Sequence, residues 1–248
     1  LIPMAINFRP PLQSPWRLKL ALFLLSLVLP LTLSACAAER PTTPLGCAVA
    51  TTPCLSGSAK VALQTSRGEV ILGLDGKAAP LTAGNFVDLV KRGVYDGTVF
   101  HRVVREPMPF VVQGGDPISA DPKVAASEYG TGSYIDPTSR EARLIPLEVG
   151  LKSEVRPRYG QPLTTPGITR ELRLSHERGA LAMARSGDAN SASAQFYVAL
   201  EALPELDGRY AVFGRVTKGM DIIDQIQQGD KILRATVIEG GTLVKGEP

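Results

Sequence analysis

From residue 59 onward apolar and polar positions largely alternate, the period of strands buried on one face. Val61, Leu63 and Thr65 alternate, Ser66-Arg67-Gly68 supplies a turn, and Val70, Leu72 and Leu74 alternate again, which predicts a β-hairpin. The period then lengthens. Pro80 and Thr82 open a helix with Thr82 as its N-cap; Phe86, Leu89 and Val90 share its apolar face, and Gly93 ends it. Asp96-Gly97 turns the chain into a strand over 98–104, and Gly114-Gly115-Asp116 turns it once more. Further strand-like runs cover 179–184, 195–200 and 211–216. A second helix fits 220–228, with Met220, Ile223 and Ile226 on one side and Gly229 after it, and 233–238 is a last strand. Many short strands, two helices and no alternating βαβ repeat predict a mainly β fold, a closed antiparallel barrel capped by two α-helices.

Other stretches depart from this pattern. Residues 20–35 form an uncharged apolar run, preceded by Arg9, Arg17 and Lys19 and ending in small residues, the layout of a secretory signal. Pro30 interrupts the run, which is shorter than the roughly 20 residues of a spanning helix, so 1–35 reads as a cleaved signal peptide. It ends in Leu33-Ser34-Ala35-Cys36, which resembles the lipobox of bacterial lipoproteins. That resemblance implies a diacylglycerol on Cys36, and hence an exported protein held by a lipid anchor on a membrane facing the periplasm, or the thylakoid lumen in a cyanobacterium. Plain secretion, with Cys36 lost or free, is the alternative. Residues 36–58, rich in Thr, Pro, Ala, Gly and Ser, read as a flexible tether. Outside the cytoplasm Cys47 and Cys54 can close a small disulfide loop within it, or remain free. Residues 117–172 carry many Pro, Gly and charged residues with short apolar pieces such as 144–149, which predicts a long surface excursion rather than core. The remaining body is one domain over 59–242, followed by a tail at 243–248.

Composition narrows the function. The chain of 248 residues carries 27 basic and 24 acidic residues, a formal net charge of +3. Arg9, Arg17 and Lys19 account for the whole excess, because the first 35 residues hold no Asp or Glu. The body is formally neutral, which argues against nucleic acid as a partner. With only His101 and His176, the chain has little material for a zinc site or a Ser-His-Asp arrangement, and it carries no phosphate loop or dinucleotide fingerprint. Hydrolysis, phosphoryl transfer and hydride transfer are disfavoured. What the chain offers instead is an arginine among apolar strand residues, Phe100-His101-Arg102-Val103, followed closely by Phe110-Val111-Val112-Gln113-Gly114-Gly115-Asp116.

These residues resemble the cyclophilin family of peptidyl-prolyl isomerases. The matching pieces run in the family's order: Asn85-Phe86, Tyr95-Asp96-Gly97, Phe100-His101-Arg102, Phe110 with Gln113-Gly114-Gly115-Asp116, Leu181-Ala182-Met183-Ala184, Ser193-Ala194-Gln195-Phe196-Tyr197, and Leu206 through Gly214. The resemblance implies an eight-stranded closed antiparallel barrel with two helices, no cofactor, no metal, and proline-containing polypeptide clients; a monomer is expected. It also implies that Arg102 donates hydrogen bonds near the proline, that Gln113 orients it, and that Phe110, Val111, Tyr197 and Leu206 line a proline pocket. Ala184, Arg185 and Ser186 then border the groove for the residues before proline, and Tyr210 stands where many members have His. His101 belongs to the motif without an acid-base role.

Val111 stands where the family usually has Met, Tyr197 where it usually has Phe, and Glu205 where eukaryotic members commonly have Trp, which argues against strong cyclosporin binding. The segment Arg105-Glu106-Pro107-Met108-Pro109 is a few residues longer than usual, a length that could displace Phe110 from Arg102. The pieces Tyr134-Ile135-Asp136-Pro137-Thr138 and Ile145-Pro146-Leu147-Glu148 resemble cyclophilins of cyanobacteria and of the plant thylakoid lumen. Two readings follow: an isomerase that assists the folding of extracytoplasmic proteins, or a weakly catalytic chaperone or assembly factor that grips proline segments on the same fold.

Overall fold

The computed structural model describes residues 46–246; the expected signal peptide, Cys36 and the first part of the expected tether lie outside them. The described elements are β1 (Cys54–Thr65), β2 (Gly68–Asp75), α1 (Pro80–Lys91), β3 (Arg102–Val104), β4 (Val111–Gly114), β5 (Glu148–Val149), β6 (Arg158–Tyr159), α2 (Ile168–Glu171), β7 (Ala180–Met183), β8 (Phe196–Ala199), β9 (Val212–Lys218), α3 (Met220–Gln225) and β10 (Ile232–Val244). Eight strands form one sheet in the order β10-β1-β2-β9-β7-β8-β4-β3, and every ladder in it is antiparallel.

The expected closed barrel is not formed, because no ladder joins the edge strands β3 and β10. β3 is three residues long and is fully paired with β4. The two edges meet instead through the residues just before β3: Ile232 N donates to Thr98 O at 2.8 Å, Phe100 N to Asp230 O at 2.8 Å, and Val99 bridges Lys231. β1 starts at Cys54, inside the stretch expected to be tether. Cys54, Leu55 and Ser56 pair with Val244, Leu243 and Thr242, because β10 runs six residues beyond the strand end at 238 that alternation suggested. Gly84 of α1 lies so close that a Cβ there would sit 2.3 Å from Pro53 O, so the helix backbone rests directly on the start of this strand. Cys47 and Cys54 form a disulfide with Cα atoms 6.0 Å apart, packed with Leu81 and Tyr159.

Helix α1 fills the core with Phe86, whose ring centroid lies 4.8 Å from Tyr95, 5.2 Å from Phe213 and 5.3 Å from Phe196. Burying such a ring stabilises the fold by about 1.5–3 kcal/mol. Thr82 is not the N-cap; the cap position is Ala79, with Pro80 in the first turn. The orphan N–H groups of Leu81 and Thr82 donate to the Glu148 carboxylate at 3.1 and 2.7 Å. A residue 66 positions away thus supplies what a local side chain was expected to supply. α3 ends at Gln225 rather than 228, where Ile226 turns extended and Arg105 Nη2 donates to the carbonyls of Ile223, Asp224 and Ile226.

The excursion is not purely surface. Leu147, Val149, Leu151 and Leu172 are buried together with Ala211 of the body, Ile145 joins the main core, and Glu148 is buried between α1 and Tyr159. The backbone explains why: Ile145 N donates to Ala192 O and Leu147 N to Ala189 O, both at 2.8 Å, so this segment runs alongside the loop that precedes β8.

Candidate active site

The β3–β4 ladder sets Arg102 directly opposite Gln113. Arg102 Nη1 donates to Gln113 Oε1 at 3.3 Å, and the guanidinium carbon stands 5.6 Å from the centre of the Phe110 ring. Gln113 Nε2 in turn donates to Gln195 Oε1 at 3.2 Å, and Gln195 Nε2 donates to the carbonyls of Gly132 and Gly130 at 2.9 and 3.0 Å. An always-charged donor fork is therefore held by an amide relay rather than by a carboxylate, which leaves its charge uncompensated.

The longer 105–109 segment does not displace Phe110. Phe110 N donates to Val104 O at 3.0 Å, and Leu200 N donates to Phe110 O at 2.8 Å, so both sides of Phe110 are tied to strands. The extra length bulges outward, with Met108 71% exposed, and Arg105 pins its near end to α3.

Beside Arg102 lies a second apolar cluster, separate from the main core. Val111, Ala182, Tyr197 and Leu203 are buried in it, and Phe110, Ala184, Leu206 and Tyr210 pack against it while remaining partly exposed. The rings of Tyr197 and Tyr210 meet edge to face at 6.0 Å. Behind Tyr197 its hydroxyl meets His176 Nε2 at 2.9 Å, while His176 Nδ1 and the His176 backbone N both reach Asp207 Oδ1 at 2.8 Å. Burial pushes the Asp207 carboxyl up, but the hydrogen bonds from His176 and Thr169 outweigh it and hold the group below its ordinary value. A carboxylate there fixes the proton on Nδ1, so Nε2 accepts from Tyr197, whose own hydroxyl is pushed well up by burial.

At the cluster's edge the Arg185 guanidinium carbon lies 4.6 Å from the centre of the Tyr210 ring. Ser186 is exposed; its carbonyl accepts from Arg185 Nη1 at 2.8 Å, and its hydroxyl donates to Ser191 Oγ at 2.7 Å within its own loop. His101 is half-buried, and desolvation pushes its imidazole down, so it is neutral near neutral pH. Sequence reasoning missed Gln195, His176, Asp207 and Arg105 as supports of the site. Gln195 lies in a recognised motif, but only the geometry shows what it holds.

A cyclophilin type peptidyl-prolyl cis-trans isomerase family model matches residues 60–242. A Synechocystis protein named as a thylakoid lumen peptidyl-prolyl cis-trans isomerase is 40% identical over 205 residues, covering 78% of this chain and 51% of that protein. A chloroplastic peptidyl-prolyl cis-trans isomerase of Arabidopsis thaliana is 39% identical over 177 residues, covering 67% of this chain and 37% of its own length. This chain thus spans about half of the first relative and less of the second. A peptidyl-prolyl cis-trans isomerase of Helicobacter pylori is 33% identical over 180 residues, 72% of this chain and 86% of that protein. In fold, the crystal structure of a Cryptosporidium parvum cyclophilin superposes with a TM-score of 0.54 at 22% identity, covering 74% of this chain and 99% of that one. From the family model and the Helicobacter pylori relative together, the chain belongs to the cyclophilin-type peptidyl-prolyl cis-trans isomerase family.

Proposed function

We propose that the chain accelerates cis-trans rotation about X-Pro bonds in exported polypeptides and so assists their folding. The observation that carries this reading is the placement of Arg102, fixed by Gln113 and Phe110, beside a partly open apolar cluster that includes Val111, Tyr197 and Leu206. Rotation about an X-Pro bond faces a barrier of about 20 kcal/mol, because amide resonance stiffens the C–N bond. No bond is made or broken, so no nucleophile is needed. The catalyst has only to hold the proline ring and favour the twisted amide, whose nitrogen regains a lone pair as conjugation is lost. Arg102 donates to that nitrogen and to the adjoining backbone, while Phe110, Val111, Tyr197 and Leu206 seat the ring. Lowering the barrier by about 5 kcal/mol corresponds to several thousand-fold in rate.

NMR exchange on a proline tetrapeptide tests this with the full chain and Arg102→Ala. The expected result is clear acceleration by the wild type and a loss of about a hundredfold or more in the variant. Intact peptide binding without acceleration by either protein supports the chaperone reading instead.

The place of action is proposed from residues 1–36. Export by the apolar leader and acylation of Cys36 put the domain on a membrane facing the periplasm or thylakoid lumen. The relative named for the thylakoid lumen supports export. Cys36→Ser is expected to abolish lipid labelling and membrane fractionation; unchanged fractionation refutes the anchor.

A further inference from the structure

Arg185 is an immobilised cation on the rim of the apolar cluster. It follows Ala184, which packs against that cluster, and its guanidinium carbon stands 4.6 Å from the ring centre of Tyr210, another residue packed against it. Nε and Nη2 donate to Arg209 O at 3.1 and 2.7 Å, and Nη1 donates to Ser186 O at 2.8 Å and Gly187 O at 3.3 Å. These acceptors are all neutral carbonyls, so the side chain is held in place without its charge being cancelled. A guanidinium has five N–H groups, and these bonds leave at least one on Nη2 open. The field of Arg185 reaches the cluster's floor, where it opposes the rise that burial causes at the Tyr197 hydroxyl. Arg102, over Phe110 of the same cluster, is likewise held by an amide and a ring and not by a carboxylate. Among the described residues neither arginine forms an ion pair. Of the acidic residues nearest Arg185 in sequence, Asp188 is exposed and caps Asn190 N within its own loop, and Glu177 is exposed and pairs with Arg215.

Resting on the isomerase reading above, we infer that Arg185 makes this groove selective for peptides that carry a carboxylate side chain in the one or two residues before the proline. A neutral peptide has only the apolar cluster and Arg102 to engage. A carboxylate at the Arg185 rim meets a fixed, partly desolvated donor fork that costs little side-chain entropy to order, because its own hydrogen bonds already order it. A lysine in the same place meets the like charge of Arg185, with that of Arg102 beside the same cluster.

The test uses the full chain and tetrapeptides that differ only in one residue, Glu, Gln or Lys, at each of the two positions before proline. Rates come from NMR exchange near neutral pH. The expected kcat/KM is about two- to fivefold higher for Glu than for Gln at one of the positions, with Lys lowest. About 0.5 M salt shrinks the ratio, because the pair is only partly shielded from solvent. Arg185→Gln brings the Glu to Gln ratio close to one, and Arg185→Lys keeps part of it. Equal rates for Glu and Gln at both positions, or an unchanged ratio in Arg185→Gln, overturns the inference while leaving the isomerase reading intact. Absence of turnover on every peptide sinks the isomerase reading instead. In that case NMR titration of the same peptides decides the charge preference, and equal Kd values for Glu and Gln overturn it.

Discussion

The Tyr197 hydroxyl donates to His176 Nε2 at 2.9 Å beneath the apolar cluster, with both residues buried. His176 also binds Asp207 twice, and its carbonyl accepts from Leu203 N at 2.7 Å, so one imidazole joins the strand that carries Tyr197 to the loop that carries Leu206. Tyr197→Phe keeps the ring but strands a buried nitrogen, and it is expected to lower the unfolding free energy by about 1–3 kcal/mol in urea denaturation. Adding His176→Leu to Tyr197→Phe should cost measurably less than His176→Leu alone. Additive effects would show that the two residues are not coupled.

Arg105 makes a second prediction. Its Nη2 gathers three carbonyls at the end of α3, and it sits at the root of the long 105–109 segment, between Arg102 and Phe110. Arg105→Met removes that anchor without emptying the space. We expect the KM of a proline peptide to rise by about two- to threefold with a smaller change in kcat, because the 105–109 segment loosens beside the site while Arg102 and Phe110 keep their own strand bonds. A fall in kcat with KM unchanged would place Arg105 outside this role.

The local parts of the fold were legible in the sequence and the long-range parts were not. The hairpin of Val61–Leu63 and Val70–Leu74 shows in plain alternation, and β2 pairs β1 across that turn. That Arg102, Phe110 and Gln113 lie together was legible because the motif is compact: the β3–β4 ladder sets Arg102 opposite Gln113, and Phe110 N bonds Val104 O. The cap of α1 was not, since Glu148 reaches it from a segment whose Pro and charged residues looked like surface. Ile145, Leu147, Val149 and Leu151 do alternate, but Pro146, Glu148 and Gly150 stand between them, and a buried carboxylate is costly unless paired. Its partners, the N–H groups of Leu81 and Thr82, are not visible in sequence. The open edge of the sheet was hidden for a similar reason: alternation shows that strands exist, not which edges pair.

The disulfide offers a third test. Cys47 and Cys54 lie seven positions apart, and closing a loop of that size contributes about 2–3 kcal/mol by restricting the unfolded chain. Cys47→Ser with Cys54→Ser should lower thermal stability and speed hydrogen exchange at the N-terminal end of β1, around Leu55. Unchanged exchange there would show that pairing with β10 and packing under α1 suffice.

Glu148 carries a pH dependence whose sign runs against that of an ordinary surface acid. Burial pushes its carboxyl above the ordinary 4.5, and the hydrogen bonds from Thr82, Tyr159 and Leu81 only partly oppose the shift. Above its unfolded value the folded chain therefore holds a proton that the unfolded chain has released, so stability from this group is fullest below about pH 4.5 and falls as pH rises through the folded value. Asp207 works in the opposite sense: its carboxyl lies below 3.8, and its contribution is lost as pH falls. The two are separable by difference. Subtracting the stability profile of Glu148→Gln from that of the wild type should leave a curve that declines as pH rises from about 4.5 through the raised folded value, since the amide does not titrate. A flat or rising difference, measured by urea denaturation at fixed ionic strength, would mean that the N–H donors at the head of α1 hold Glu148 ionised despite its burial.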